Sequence, residues 1–389
     1  MTDSKLRAMQ EAIRGEGLDG WLFCNFRHRD KLADEILHIN PDITNSRLWV
    51  YAVPASGEPL GILHAVEIDS LGDLPGPRVS YRGREELLSC LKPLGGKRWG
   101  LHISEFVTAI SYLDGGTLAV FEQAGLIPAS AAGLLQRFKG LLSSEDMDAH
   151  EKAADHLHEI VKKAWRRVRE AFVRGERLCE GEIQDLMLTE MHKRNLITDH
   201  APIVAAGVNT GNPHYDPHEG GAVFQKDDVI QFDLWARDQG PGGIYADISW
   251  VGVYGTVPLP RYEKTFADLI AAREGAWEFI REELAAGRRP AGAAVDKKTR
   301  DILIGRAYEG ALRHRTGHGI DTEVHGSGVN IDSVEFSDSR LLLDGSCFSL
   351  EPGIYLPGFG MRTEIDVYIR EGKPVISGQD RQFLLLNCG

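Results

Sequence analysis

The chain has 389 residues, 42% hydrophobic and 26% charged, with a formal net charge of -13. That length exceeds one ordinary domain, so two are expected. The mix is ordinary globular material, and the acidity argues against a nucleic-acid binder, which needs a basic face.

Met1-Thr2-Asp3-Ser4-Lys5 leads into a polar helical pattern without the apolar core of a signal peptide, and no run of about 18 apolar residues follows, so no membrane partner is expected. The cysteines at 24, 90, 179, 347 and 388 are scattered and lack CxxC spacing. Reduced thiols, and hence a cytoplasmic location, fit that pattern.

Along the chain, Leu6, Met9, Ile13 and Leu18 form a helical stripe, followed by the apolar run Trp21-Leu22-Phe23-Cys24. Further strands are expected over 48–53 and 99–103, giving a small α/β domain over 1–142. Ser143-Ser144-Glu145-Asp146 reads as a helix start. Ala153, Leu157, Ile160, Ala164, Val168, Ala171 and Phe172 then recur every three or four residues up to a stop at Gly175. This helix opens a second domain, 143–389, and a further helix is expected over 180–194. Beyond Ile203 the period becomes two. Ile230, Phe232 and Leu234 share one strand face with Asp233 opposite. Ile244, Ala246, Ile248 and Trp250 share another with Asp247 opposite. With the turn-rich 237–243 between them, this predicts a β-hairpin carrying both aspartates on its non-core face. Helices are expected over 261–288 and 294–313, and strands again to the end.

Asp233, Asp247, His318, Glu351 and Glu364 are spaced acidic and imidazole positions in or beside these apolar runs. Carboxylates in such a setting need a compensating cation. Four of them with one imidazole are matched by two divalent ions, and mostly oxygen ligands suit Mn, Co or Zn. Their local strings are distinctive: His314-Arg315-Thr316-Gly317-His318-Gly319-Ile320, then His325; Ser349-Leu350-Glu351-Pro352-Gly353-Ile354-Tyr355; and Gly360-Met361-Arg362-Thr363-Glu364-Ile365-Asp366, expected to place Arg362 and Glu364 on one face of a strand.

In order and over about residues 145–389, these strings resemble the methionine aminopeptidase/prolidase metallopeptidase family. The resemblance implies an α+β pita-bread catalytic domain with a curved antiparallel sheet, preceded by a smaller α/β domain of the creatinase/prolidase type. It also implies a dinuclear-metal exopeptidase cleaving Xaa-Pro bonds, above all of dipeptides, through a metal-bridging hydroxide. Two divalent ions, Mn before Co or Zn, are the implied cofactors. Asp233 resembles the chelator of one metal, Asp247 and Glu364 the bridging carboxylates, and His318 and Glu351 the ligands of the other metal. Glu351 resembles the group that takes the water's proton. His214, in Gly207-Val208-Asn209-Thr210-Gly211-Asn212-Pro213-His214, resembles the histidine near the scissile bond, and His325 the one that polarises the carbonyl. His314 and Arg362 match outer positions of the proline-specific branch. A small peptide substrate and a homodimer or higher homo-oligomer are further expectations.

Several positions depart from the family pattern. The two aspartates are 14 residues apart, a longer interval that falls in the Gly-Pro-Gly-Gly loop. Gly326 follows His325 where an acid is usual. Ile365 follows Glu364 where aspartate is usual. Ser249-Trp250 stands for Thr-Arg, and Asp321 for the second glycine of Gly-His-Gly-Ile-Gly. All are taken as positions behind the ligands. They keep two other readings open beside aminopeptidase P: a hydrolase or lyase of a non-peptide small molecule, and a silent binding module, which the intact ligand set opposes. His38, His102, His156 and His158 are read as structural or surface residues. The run Lys162-Lys163-Ala164-Trp165-Arg166-Arg167 is read as a solvated helix face.

Overall fold

In a computed structural model the backbone of residues 1–389 is described, with every side chain except those of His218 and Gln379. The chain divides into two compact units, Met1–Lys139 and Gly140–Gly389.

The first unit contains strands β1 (Gly20–Asn25), β2 (Trp49–Pro54), β3 (Leu60–His64), β4 (Arg78–Tyr81), β5 (Arg98–Leu101) and β6 (Ile127–Ser130). Its helices are α1 (Asp3–Gly15), α2 (Lys31–Leu37), α3 (Arg84–Leu91), α4 (Gly115–Gln123) and α5 (Ala132–Phe138). The strands form one mixed sheet in the order β4-β3-β2-β1-β5-β6. Alternation of side chains gives it two apolar faces. Trp21, Phe23, Trp49 and Tyr51 pack with Met9, Ile13 and Leu134, while Leu22, Cys24, Val50 and Ile62 pack with Leu87, Leu91 and Phe121. Both faces are therefore covered, which is why β1 is buried along its whole length.

The second unit opens on α6 (Ser144–Arg174), where the Ser143 side chain and Asp146 form a reciprocal capping box and Gly175 closes the helix in the left-handed region. Helix α7 spans Glu180–Lys193. Strands β7 (Leu196–Ile197), β8 (Ile203–Ala206), β9 (Val229–Asp238) and β10 (Ala246–Val253) form one sheet, in which β9 pairs with the other three. Helices α8 (Pro260–Ala285) and α9 (Gly292–Ile304) follow. The chain ends in β11 (Cys347–Leu350), β12 (Gly353–Leu356), β13 (Phe359–Arg362), β14 (Ile365–Arg370) and β15 (Lys373–Ile376).

Ile230, Phe232, Leu234, Ala246, Ile248 and Trp250 lie in one core with the apolar stripe of α6. The opposite face of the β9–β10 hairpin carries Gln231, Asp233, Asp247 and Ser249, with Ser249 directly across from Asp233. That face is not a solvated one: Asp233 and Asp247 are buried there.

Two expectations need correcting. The helix expected to reach residue 313 ends at Ile304, with only a single 3-10 turn at Glu309–Ala311 beyond it. Arg362 and Glu364 do not share a strand, because β13 ends at Arg362 and β14 begins at Ile365. The junction is held instead by Arg273 of α8, fully buried, whose Nη1 donates to Thr363 Oγ1 at 2.7 Å and whose Nη2 donates to the Gln382 carbonyl at 2.9 Å.

Ser143→Ala removes the cap oxygen that accepts the Asp146 N–H. The expected loss is about 1 kcal/mol of unfolding free energy, measured by chemical denaturation.

Candidate metal centre

The site is assembled from the polar face of the β9–β10 hairpin, the 314–325 segment and the ends of β11, β13 and β14. Asp247, His318 and Glu364 present one donor atom each, all within 4.8 Å of one another, and all three residues are buried. His318 Nε2 lies 3.8 Å from Asp247 Oδ2 and 3.5 Å from Glu351 Oε1. Asp233 joins the group through Ser249, whose Oγ is 3.0 Å from Asp233 Oδ1 and 2.9 Å from Glu364 Oε2. Arg362 forms an ion pair with Asp233 and sits 3.7 Å from Glu351 Oε2. The five expected ligands are thus gathered, three of them in one tight set, with Asp233 closed by a guanidinium.

The glycines around His318 are there for close approach. A Cβ on Gly317 would lie 2.0 Å from the Ser349 carbonyl oxygen, and one on Gly319 2.7 Å from Gly328. Ser349 in turn accepts the His318 N–H at 3.1 Å. His318 is therefore fixed against β11 by backbone fit as well as by its own ring.

Burial dominates the electrostatics. It raises the carboxyls of Asp247 and Glu364 well above their usual range, and neighbouring acids add to the shift. Glu351 is pushed up to about 7, again first by burial, with Arg362 pulling the other way. His318 is held well below its ordinary value by burial and by His325, so its imidazole is neutral, the form that binds a metal. Asp247 Oδ1 and Glu364 Oε1 are buried and have no hydrogen-bond partner among the described residues. Unsatisfied hard oxygens facing a neutral imidazole are what a divalent cation would complete. The residues present fit such an ion.

The other expected residues fall around this centre. His325 is exposed and meets the His318 ring edge-on, centroids 4.3 Å apart. His214 is exposed on the loop after β8, and the carbonyl of its neighbour Pro213 is 3.4 Å from Arg362 Nη1. Glu180 at the start of α7 anchors that loop. Its carboxylate accepts from the Ala206 and Ala222 N–H groups at 2.7 and 2.6 Å, from Asn209 at 2.9 Å and from the Tyr215 hydroxyl at 2.7 Å. His314 does not touch the acids. Its Nδ1 is 2.7 Å from the Arg315 carbonyl and its Nε2 2.8 Å from the Tyr355 hydroxyl. Burial and Arg362 lower it to about 3. The neutral ring therefore donates from Nδ1 and accepts from Tyr355 at Nε2.

Tyr355, Asp366 and Glu180 were not singled out as site residues from the sequence, and Ser249 was noted there only as a departure from the family pattern. Asp366 Oδ2 accepts the Asp247 N–H at 2.7 Å and so fixes the strand on which Asp247 stands. Its place in the third string, two residues after Glu364, was the available signal. The departures at Trp250 and Ile365 do not face the ligands: both side chains lie in apolar cores. The long Asp233–Asp247 interval is taken up between β9 and β10, which pair from Ala246↔Ala236.

The model of metallopeptidase family M24 matches residues 148–371, more than half of the chain. The chain belongs to metallopeptidase family M24. It is 25% identical over 340 residues to the Mycobacterium tuberculosis protein named "Probable dipeptidase PepE", covering 84% of this chain and 82% of the relative. It is 30% identical over 256 residues to an Xaa-Pro dipeptidase of Lactobacillus delbrueckii subsp. lactis, covering 62% of this chain and 65% of the relative. In fold it is similar to the crystal structure of dipeptidase PepE from Mycobacterium ulcerans, with a TM-score of 0.74 and 22% identity over 99% of this chain and 97% of that one. The M24 pita-bread fold is thereby established, preceded here by the N-terminal α/β unit, and family membership implies divalent metal binding. No helix is long and apolar enough to cross a membrane among the described residues.

The pKa shifts fix a sign for the metal-free protein. Raised carboxyls contribute stability that is complete below the unfolded value of about 4.3 and is lost as pH rises through their folded values, about 7 for Glu351 and well raised for Asp247 and Glu364. The lowered histidines oppose this only below about 6.5, where they would charge in the unfolded chain. Between pH 6.5 and 8 the melting temperature of metal-free protein is expected to fall, and a divalent cation to abolish the fall. Differential scanning fluorimetry of both forms checks it; a metal-free midpoint flat over that window refutes the assignment.

Proposed function

We propose that this M24 chain is a dinuclear-metal exopeptidase that hydrolyses Xaa-Pro bonds, with dipeptides preferred and Mn as the leading cofactor ahead of Co or Zn. The observation that carries the reading is the convergence of Asp247, His318 and Glu364, with one carboxylate oxygen of Asp247 and one of Glu364 buried without a hydrogen-bond partner among the described residues. The names of the relatives point to the same substrate class.

In this reading Asp233, Asp247, His318, Glu351 and Glu364 would hold the two ions between them. Bound there, the ions would supply an acidified water and an electrophile for the scissile carbonyl. The protein's own groups handle protons and orientation. Glu351, buried beside the other ligands, is placed to take a proton and return it to the leaving proline nitrogen. His325, fixed against His318 yet open to solvent, supplies a hydrogen bond to the oxyanion, and His214 flanks it from the loop that Glu180 anchors. Arg362 is the cation beside the ligands. His314 and Tyr355 hold its far side, where the Tyr355 hydroxyl is 3.4 Å from Arg362 Nη1. The N-terminal unit is of the creatinase/prolidase type, and the enzyme works as a cytoplasmic homodimer or higher oligomer without nucleic-acid or membrane partners. Two of the departures that motivate a non-peptide substrate, Trp250 and Ile365, are packing residues turned away from the ligands.

Metal-stripped protein, resupplied with Mn or Co, is expected to release proline from a Xaa-Pro dipeptide and not to cleave a Xaa-Pro-Xaa tripeptide. Tripeptide cleavage would make it an aminopeptidase P, and no cleavage of either with two ions bound would end the peptidase reading. Glu351→Gln is expected to lower kcat by about a hundredfold or more, the scale of general acid–base catalysis, with KM little changed. A pure rise in KM would remove Glu351 from proton transfer.

A further inference from the structure

Two of the sequence departures, Asp321 and Gly326, meet in space. Asp321 is almost fully buried, and its carboxylate fills the inside of the turn that carries His325. Oδ1 accepts the Glu323 N–H at 2.9 Å and Oδ2 accepts the Ser327 N–H at 2.8 Å. A Cβ on Gly326 would stand 2.7 Å from Asp321 Cγ and Oδ2. Gly326 is outside the left-handed region, so its backbone conformation does not demand glycine. What excludes a side chain is Asp321, first its carboxylate and then its backbone nitrogen, which that Cβ would meet at 2.9 Å.

The same turn is tied at both ends to the metal centre. Gly326 N donates to the Gly319 carbonyl at 2.7 Å, beside His318. Tyr245 N donates to the Asp321 carbonyl at 3.0 Å, two residues before Asp247. A carboxylate accepting two backbone N–H groups makes charge-assisted bonds, stronger than neutral ones. It sets the path of the chain between them, and His325 lies on that path. An acidic side chain at 326 and an aspartate at 321 would compete for one volume and repel each other.

We propose that Asp321 is the positioning residue of His325, acting from inside the turn, and that its carboxylate is coupled to Gly326, so that an acid at 326 is better tolerated once the 321 carboxylate is gone. The fixed turn holds the His325 ring edge-on to His318. The consequence for turnover rests on the role proposed above for His325, whereas the coupling itself does not.

The test is a double-mutant cycle in the full-length chain with Asp321→Gly, Gly326→Glu and the pair together. It is read by melting temperature, by the imidazole resonances of His325 in histidine-labelled metal-free protein, by bound metal, and by kcat/KM on the Xaa-Pro dipeptide. Asp321→Gly is expected to shift or broaden the His325 resonance and to lower kcat/KM at least tenfold while bound metal stays the same. Gly326→Glu alone is expected to melt lowest or fail to fold, and the pair to melt higher than it. Should Asp321→Gly fail to fold, Asp321→Asn, which keeps one acceptor oxygen, is expected to show the resonance change in a smaller degree. An unchanged His325 resonance in the 321 variants, or a pair no better than Gly326→Glu, overturns the proposal. A chain that cleaves no Xaa-Pro peptide defeats the functional reading instead, and leaves the resonance and the melting cycle to decide this one.

Discussion

Concentrated negative charge, buried and only partly paired, is the constraint on which the second unit depends. Asp233, Asp247, Glu364 and Asp366 are all buried, Glu351 is nearly so, and the Arg362 guanidinium is placed among them. With every carboxyl ionised, four net negative charges remain, which two divalent cations would neutralise. Ser249 shows the same shortfall at atomic scale. Its oxygen is within hydrogen-bond reach of both Asp233 and Glu364, yet a hydroxyl has one proton to donate. One of those contacts must be relieved by a proton or a cation. Without either, repulsion at short range in a poorly screened interior works against the fold.

The scaffold tolerates this because each acid is held from outside the cluster. Period-two alternation puts Asp233, Asp247 and Ser249 on one face of the hairpin, and the opposite face packs on α6. Asp366 takes the Asp247 N–H, and the Ser249 carbonyl takes the Glu364 N–H at 3.2 Å, so β10 and the start of β14 are locked in register. Arg273 pins Thr363 between the two functional side chains at the break in the strand. A buried arginine is costly unless its donors are used, and here they go to Thr363, to Gln382 and to Glu274. The long helix α8 thus reaches the strand break through Arg273.

Much of this was legible from residue order. The alternation about Asp233 and Asp247 gave the hairpin and its polar face, and Ser143 with Gly175 marked both ends of α6. Other features left no local trace. Period-two alternation separates two faces and says nothing of whether the second is also covered, so only the apolar runs around both aspartates pointed to their burial. The strand break at Thr363 depends on Arg273, 90 residues earlier. The early stop of α9 at Ile304 is an exception, marked locally by Gly305 at the helix end although the apolar pattern runs on past it. Trp250 and Ile365 stood out beside the ligands in sequence, but adjacent strand residues point to opposite faces, and both turn into cores.

The proton arrangement around Arg362 follows from donors and acceptors alone. The Arg315 carbonyl can only accept, so His314 carries its proton on Nδ1. Nε2 then accepts from the Tyr355 hydroxyl, which leaves the Tyr355 oxygen a lone pair for Arg362 Nη1. The chain of donors runs one way, from the guanidinium through the phenol to the imidazole and out to a backbone carbonyl. Burial keeps it so, with Tyr355 pushed up to about 12 and His314 lowered to about 3. Neither changes charge between those limits. Arg362 is therefore held beside Asp233 and Glu351 by neutral partners whose state does not vary with physiological pH.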